Sequence, residues 1–142
     1  MEYKNIVKGK FISRPNRFIA EVEINGETVR CHVKNTGRCR ELLIPGTDVY
    51  MEDFAGRMRS RRLRYSLIAV MKGSRIINMD SQAPNKVVAE ALKSGSIRLP
   101  EMSELKAIKA EKTYGSSRLD FYVEDICGRQ GFIEVKGVTL EE

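Results

Sequence analysis

Two runs of alternating apolar and polar residues, "FIAEVEI" (18–24) and "ETVRCHV" (27–33), are separated only by Asn25-Gly26. An Asn-Gly pair supplies the positive φ angles that a two-residue hairpin demands, so the runs are predicted to pair as antiparallel strands. The same alternation extends to either side. "NIVKGKFISR" precedes the hairpin as a strand, and "TDVYMED" and "RLRYSLIAV" follow it, with "RIINMD" as an optional sixth. Between them "NTGRCRELLIPG" reads as a turn, a short helix and a Pro-Gly turn. Five short strands in about 80 residues predict a small closed barrel of the oligonucleotide-binding type, with an open meander or sandwich as the alternative.

At residue 80 the period changes. In "DSQAPNKVVAEALKSGSIRLP", Pro84 suits an early helical position and Gly95 a C-terminal stop. Val87, Val88, Ala91 and Leu92 recur at helical spacing. Three further strands are predicted from "LKAIKAEKTYG", "RLDFYVED" and "GFIEVKG", the last two joined by a turn at "ICGRQ". The chain thus divides at this change of period into residues 1–80 and 81–142.

The 142 residues suffice for one ordinary domain or two small ones. No apolar run approaches the length needed to span a bilayer, and "MEYKNIVKGKF" lacks the pattern of a secretory signal, so a cytosolic chain with no membrane partner is expected. Cys31, Cys39 and Cys127 are odd in number and lack CxxC spacing, which fits reduced thiols.

Charge is unevenly distributed. Residues 1–78 hold 16 Lys and Arg against 8 Asp and Glu, whereas residues 79–142 hold 9 against 11. The basic first region would attract polyanions through release of condensed counterions, or serve solubility alone. Its densest part is "RMRSRRLR", with Arg57, Arg59, Arg61, Arg62 and Arg64. Guanidinium groups bind phosphate bidentately, so this run is a candidate nucleic-acid contact as well as a candidate solvated loop. Arg38 and Arg40 follow Gly37 at the predicted short helix, whose start could also receive phosphate. Phe18, Tyr50 and Tyr65 could stack on bases or fill the barrel.

The chemistry-bearing pattern lies near the C-terminus. On a strand, Glu134 and Lys136 of "FIEVKG" project to one face and Ile133 and Val135 to the other. An antiparallel hairpin centred near Cys127 brings Asp120 opposite Glu134 or Val135. Two carboxylates so placed repel unless a cation sits between them, and Mg²⁺ or Mn²⁺ binds through one or two carboxylates plus substrate phosphate. Asp120 and Glu134 are therefore candidate metal ligands, with Lys136 orienting an attacking water and stabilising charge on phosphorus. Structural ion pairs produce the same Glu-x-Lys spacing. Ser117 and Arg118 of "YGSSRLDF" could contact the scissile phosphate or belong to an ordinary turn. Glu90, on the predicted helix, is a candidate third metal ligand or a plain surface glutamate. His32 is the only histidine, which argues against His-based triads.

The segments "NTGRCRELLIPG", "PNKVVAEAL", "YGSSRLDF" and "EVKGVTL", in this order and spacing, resemble the sugar fermentation stimulation protein A (SfsA) family from about residue 5 onward. The resemblance implies a mixed α+β architecture, an oligonucleotide-binding-type barrel followed by a PD-(D/E)xK restriction-endonuclease-like domain. It also implies DNA binding without sequence preference and a role in regulating sugar, particularly maltose, metabolism. The nuclease-like motif falls on Asp120, Glu134 and Lys136. That family continues past the Glu-x-Lys strand with a further helix and strand, whereas this sequence ends at Glu142, so the second domain is expected to be incomplete. Its open sheet edge would invite a second copy. The readings compatible with the residues are a metal-dependent phosphodiesterase, a DNA-binding regulator without chemistry, and a barrel that binds phosphate ligands or proteins.

Overall fold

A computed structural model describes residues 1–35 and 37–138. Two compact units divide them, one of residues 2–81 with Val138 and one of residues 82–137 with Met1. Thr36, Thr139 and Leu140 of the motifs quoted above lie outside the described residues.

The first unit is a closed barrel. Strand β1 (Ile6–Asn16) pairs antiparallel with β4 (Asp48–Asp53) through Ile6 to Lys10, and with β2 (Ile19–Ile24) from Lys10 onward. One long strand therefore serves two neighbours, and the handover falls at Gly9-Lys10. A Cβ at Gly9 would lie 2.6 Å from the Glu23 carbonyl oxygen and 2.7 Å from Val22 Cγ1, so glycine stands there for lack of space. The hairpin to β3 (Glu27–Val33) turns at Asn25 (φ 51°) and Gly26 (φ 83°), the paired positive angles its sequence demands. Strand β5 (Tyr65–Lys72) runs antiparallel to β4 and parallel to β3, Cys31 opposite Tyr65, which closes five strands in the order of the oligonucleotide-binding fold. Strand β6 (Arg75–Asn78) pairs only with β5.

Alternate residues fill the barrel: Val22, Cys31, Val49, Met51, Leu67 and Val70 are wholly buried. Burial pushes the Cys31 thiol up to about 12, which leaves it a small apolar core residue. Among the described residues of 35–46 there is no helix where the sequence predicts a short one. Leu42 and Leu43 donate to the Cys39 carbonyl in a single turn, since Cys39 adopts φ 51° and Pro45-Gly46 ends the segment. That turn drops Cys39, Leu42 and Leu43 into the barrel as a plug. Each buried leucine contributes about 1.5–3 kcal/mol.

In the second unit, α1 (Ala83–Ser94) carries Pro84 in its first turn and ends at Gly95, whose φ of 78° only glycine adopts freely. Its inward face is Val88, Ala89 and Leu92, and Val87 is instead half-exposed. Strands β7 (Leu105–Tyr114), β8 (Ser117–Asp125) and β9 (Gln130–Ile133) form an antiparallel sheet that packs Phe121 and Val123 against Leu92. The β8–β9 turn is organised by Asp125, fully buried, whose carboxylate accepts the backbone N–H groups of Ser103, Cys127 and Arg129. These bonds, Ser103 foremost, hold its carboxyl below the ordinary range. No described helix is long and apolar enough to cross a membrane.

Candidate functional site

Two groups of residues carry the chemistry the sequence singles out, one in each unit. In the second unit, the β8–β9 pairing runs as far as Phe121 opposite Ile133, the residues next to Asp120 and Glu134. The ladder then stops. The strand expected over "FIEVKG" ends at Ile133, because the Val135 N–H is donated to Asp120 Oδ2 at 2.7 Å rather than to a backbone carbonyl. Asp120 Oδ1 accepts from Asn85 Nδ2 at 3.3 Å, so α1 and the segment after β9 together fix this half-buried carboxylate. Burial still alternates beyond the strand: Ile133 and Val135 pack into the core, while Glu134 and Lys136 are exposed with Lys136 Nζ 3.5 Å from Glu134 Oε2.

Ser117 and Arg118 stand exposed where β8 leaves the β7–β8 turn, three and two residues before Asp120. The Arg118 guanidinium pairs with Glu111 at 2.9 Å, both side chains in solvent. Glu90 does not join the other carboxylates. Its side chain pairs with the amino group of Met1, and no three described His, Cys, Asp or Glu side chains converge as a metal site. Both Asp120 oxygens accept hydrogen bonds, and Glu134 is paired with Lys136.

In the first unit the arginine run spans the β4–β5 loop, but its members divide. Arg64 grips Asp53 with two hydrogen bonds of 2.7 and 2.8 Å and pushes that carboxyl down to about 2. Arg57 donates to the Asp53 carbonyl, and Arg61 donates to Ser66 Oγ. Both lie over the Phe54 ring, at 4.7 and 3.7 Å from its centre, a cation–π stack that orders the loop. Three of the five arginines are therefore tied into the loop, and among the described residues Arg59 and Arg62 stand exposed. Tyr50 is half-buried in β4 and Tyr65 half-buried against the barrel core, while Phe18 is 53% exposed. Burial, then the positive charges of Arg61 and Lys34, lower the His32 imidazole, a sign of the electropositive surroundings.

A second basic feature was not legible in the arginine run. Arg38 and Arg40, exposed and at no helix start, line an open groove of about 760 Å³ together with Arg14 and Arg17. Arg14 is a bracket, donating to the carbonyl oxygens of Arg17, Asn35, Gly37 and Arg38. The signal lay in "RPNR" (14–17), two arginines flanking the β1–β2 turn, but nothing local told that the distant 35–45 segment would meet it.

Both units have relatives among known proteins. Residues 12–79 match the family model of the SfsA N-terminal OB domain, and residues 82–142 that of the sugar fermentation stimulation protein RE domain. Sugar fermentation stimulation protein homologues from Desulfitobacterium hafniense and Ruminiclostridium cellulolyticum are 56% and 57% identical over 142 residues. These cover 100% of this chain but 59% and 60% of theirs. The chain thus spans about three fifths of the curated relatives it matches. The structure of Pyrococcus furiosus SfsA in complex with Ca²⁺ superimposes with a TM-score of 0.83 at 32% identity, covering 100% of this chain and 58% of that one. This chain belongs to the sugar fermentation stimulation protein (SfsA) family.

Proposed function

We propose that this chain binds DNA through its barrel and carries, in its second unit, part of a PD-(D/E)xK-type site for metal-dependent phosphodiester hydrolysis. The observation that carries the second half is the 2.7 Å bond from the Val135 N–H to Asp120 Oδ2, which holds that carboxylate at the residue next to Glu134, itself paired with Lys136. The complex of Pyrococcus furiosus SfsA with Ca²⁺ supports it, since Ca²⁺ takes the same hard oxygen ligands as Mg²⁺. Mg²⁺ or Mn²⁺ held by Asp120 and Glu134 would supply Lewis acidity to a phosphate oxygen. Asn85 and the Val135 N–H hold the Asp120 carboxylate in one orientation, so little freedom is lost on binding. The exposed Lys136 ammonium orients an attacking water and offsets the negative charge gathering on phosphorus. For DNA, Arg59 and Arg62 give the backbone phosphates two cations, and Arg38 and Arg40 add to the field.

A second reading keeps the DNA binding without chemistry, as a regulator of sugar, particularly maltose, metabolism. It is favoured by one observation: both Asp120 oxygens already serve the fold, and no third acidic ligand converges among the described residues. Plasmid cleavage by the intact protein with Mg²⁺ or Mn²⁺ decides between them. Cleavage is expected, lost in Asp120→Asn and in Lys136→Ala with DNA retention in gel shifts unchanged. Equal cleavage by wild type and both variants refutes the assigned site.

A further inference from the structure

The groove beside the β1–β2 turn combines dense positive charge with an apolar lining. Among its lining residues are four arginines and no aspartate or glutamate. Arg14 is held by carbonyl oxygens alone, and its Nε is a buried donor without an acceptor. No described residue forms a hydrogen bond or ion pair with the guanidinium groups of Arg38 and Arg40. This concentration of positive charge without counterions attracts a polyanion.

The floor of the groove says which polyanion. It is apolar, made by Ile12, Leu43 and Pro45. A duplex presents phosphates, sugars and base edges but hides its base faces in the stack, so it has no flat face to lay on such a floor. A single strand offers unstacked bases along with phosphates, and bases lie on apolar and aromatic surfaces. Next to Arg17 stands Phe18, its ring half-exposed and partly covered by the Arg17 guanidinium 5.9 Å from its centre. We infer that this groove binds single-stranded nucleic acid, with phosphates on Arg17, Arg38 and Arg40, one base on the apolar floor and a neighbouring base on Phe18. The inference rests on the barrel's role in binding nucleic acid, proposed above, and adds a strand preference and a location distinct from the β4–β5 loop.

Fluorescence anisotropy of the intact protein with labelled dT12, labelled rU12 and a twelve-base-pair duplex, each over a range of salt, tests it. The triple variant Arg17→Ala/Arg38→Ala/Arg40→Ala spares the Arg14 bracket, and all three positions are exposed, so the barrel should keep its circular dichroism. It is expected to bind the better of the two single strands at least tenfold more weakly. Its log–log salt slope should flatten by about 2, since each lost phosphate contact removes about 0.7. Phe18→Ala should weaken single-strand binding about tenfold and leave the slope alone, as loss of one stacking platform does. Arg59→Ala/Arg62→Ala should weaken duplex binding more than single-strand binding. Single-strand affinity of the triple variant within twofold of wild type overturns the groove assignment. Wild type that binds duplex but neither single strand overturns it as well, leaving the DNA-binding reading in place; wild type that binds no probe overturns both.

Discussion

Replacing Asp120 separates what this carboxylate does for the fold from its proposed part in holding a metal. In Asp120→Ala the half-buried Val135 N–H loses its 2.7 Å acceptor, and hydrogen bonds to charged groups contribute about 1.5–3 kcal/mol. The Asn85 bond is longer, at 3.3 Å, and adds little. A local loss of about 2 kcal/mol is expected, equivalent to roughly 30-fold faster opening of the segment after β9. Asp120→Asn keeps an oxygen for Val135 but not the charge, so its cost should fall to about 0.5–1 kcal/mol. Cation binding depends on the charge, and both variants should lose it alike. Amide hydrogen exchange at Val135 reads the first quantity and calorimetric titration with Ca²⁺ reads the second. The expected order of protection is wild type, then Asn, then Ala, with Ca²⁺ taken up by wild type alone. Equal protection of Val135 in all three would refute the structural role, and Ca²⁺ binding by Asp120→Asn would remove this residue from the metal site.

Two other consequences can be measured. Gly9→Ala drives a Cβ to 2.6 Å from the Glu23 carbonyl, a backbone atom that cannot swing aside, and should cost about 1–3 kcal/mol, seen as a melting point lowered by several degrees; an unchanged melting point contradicts the close approach of β1 and β2. The Asp53 carboxyl is depressed to about 2 by Arg64, below its unfolded value near 3.9, so the stability it gives is complete above about pH 4 and is lost as pH falls towards 2. Arg64→Met should flatten the acid side of the thermal stability profile over that window, and parallel profiles for variant and wild type would count against the pair.

What could be read in the sequence was what is local. Asn25-Gly26 specifies its hairpin because two residues contain the whole turn, and Pro84 and Gly95 bracket α1 for the same reason. The barrel followed from strand count, but its parallel β3–β5 closure joins residues far apart in sequence and no short pattern encodes it. The 35–46 segment misled because Leu42 and Leu43 sit at a spacing a helix shares with a single turn; the left-handed Cys39 decides the matter, and a cysteine gives no sign of it. At the site, turn length left two registers open, Asp120 opposite Glu134 or Val135, and nothing local showed the Val135 bond that ends β9, which is a side chain substituting for a strand. The arginine run showed where charge lies but not how Phe54 and Asp53 absorb most of it.

The parallel seam also sets the order in which the barrel can be made. The β1–β2–β3 meander contains only neighbouring partners and can form as soon as Val33 is available, but it stays an open sheet until Tyr65 to Leu67 arrive to lie along Cys31 to Val33. That last pairing is distant in sequence and costs loop-closure entropy, so the barrel should close later than its first three strands pair.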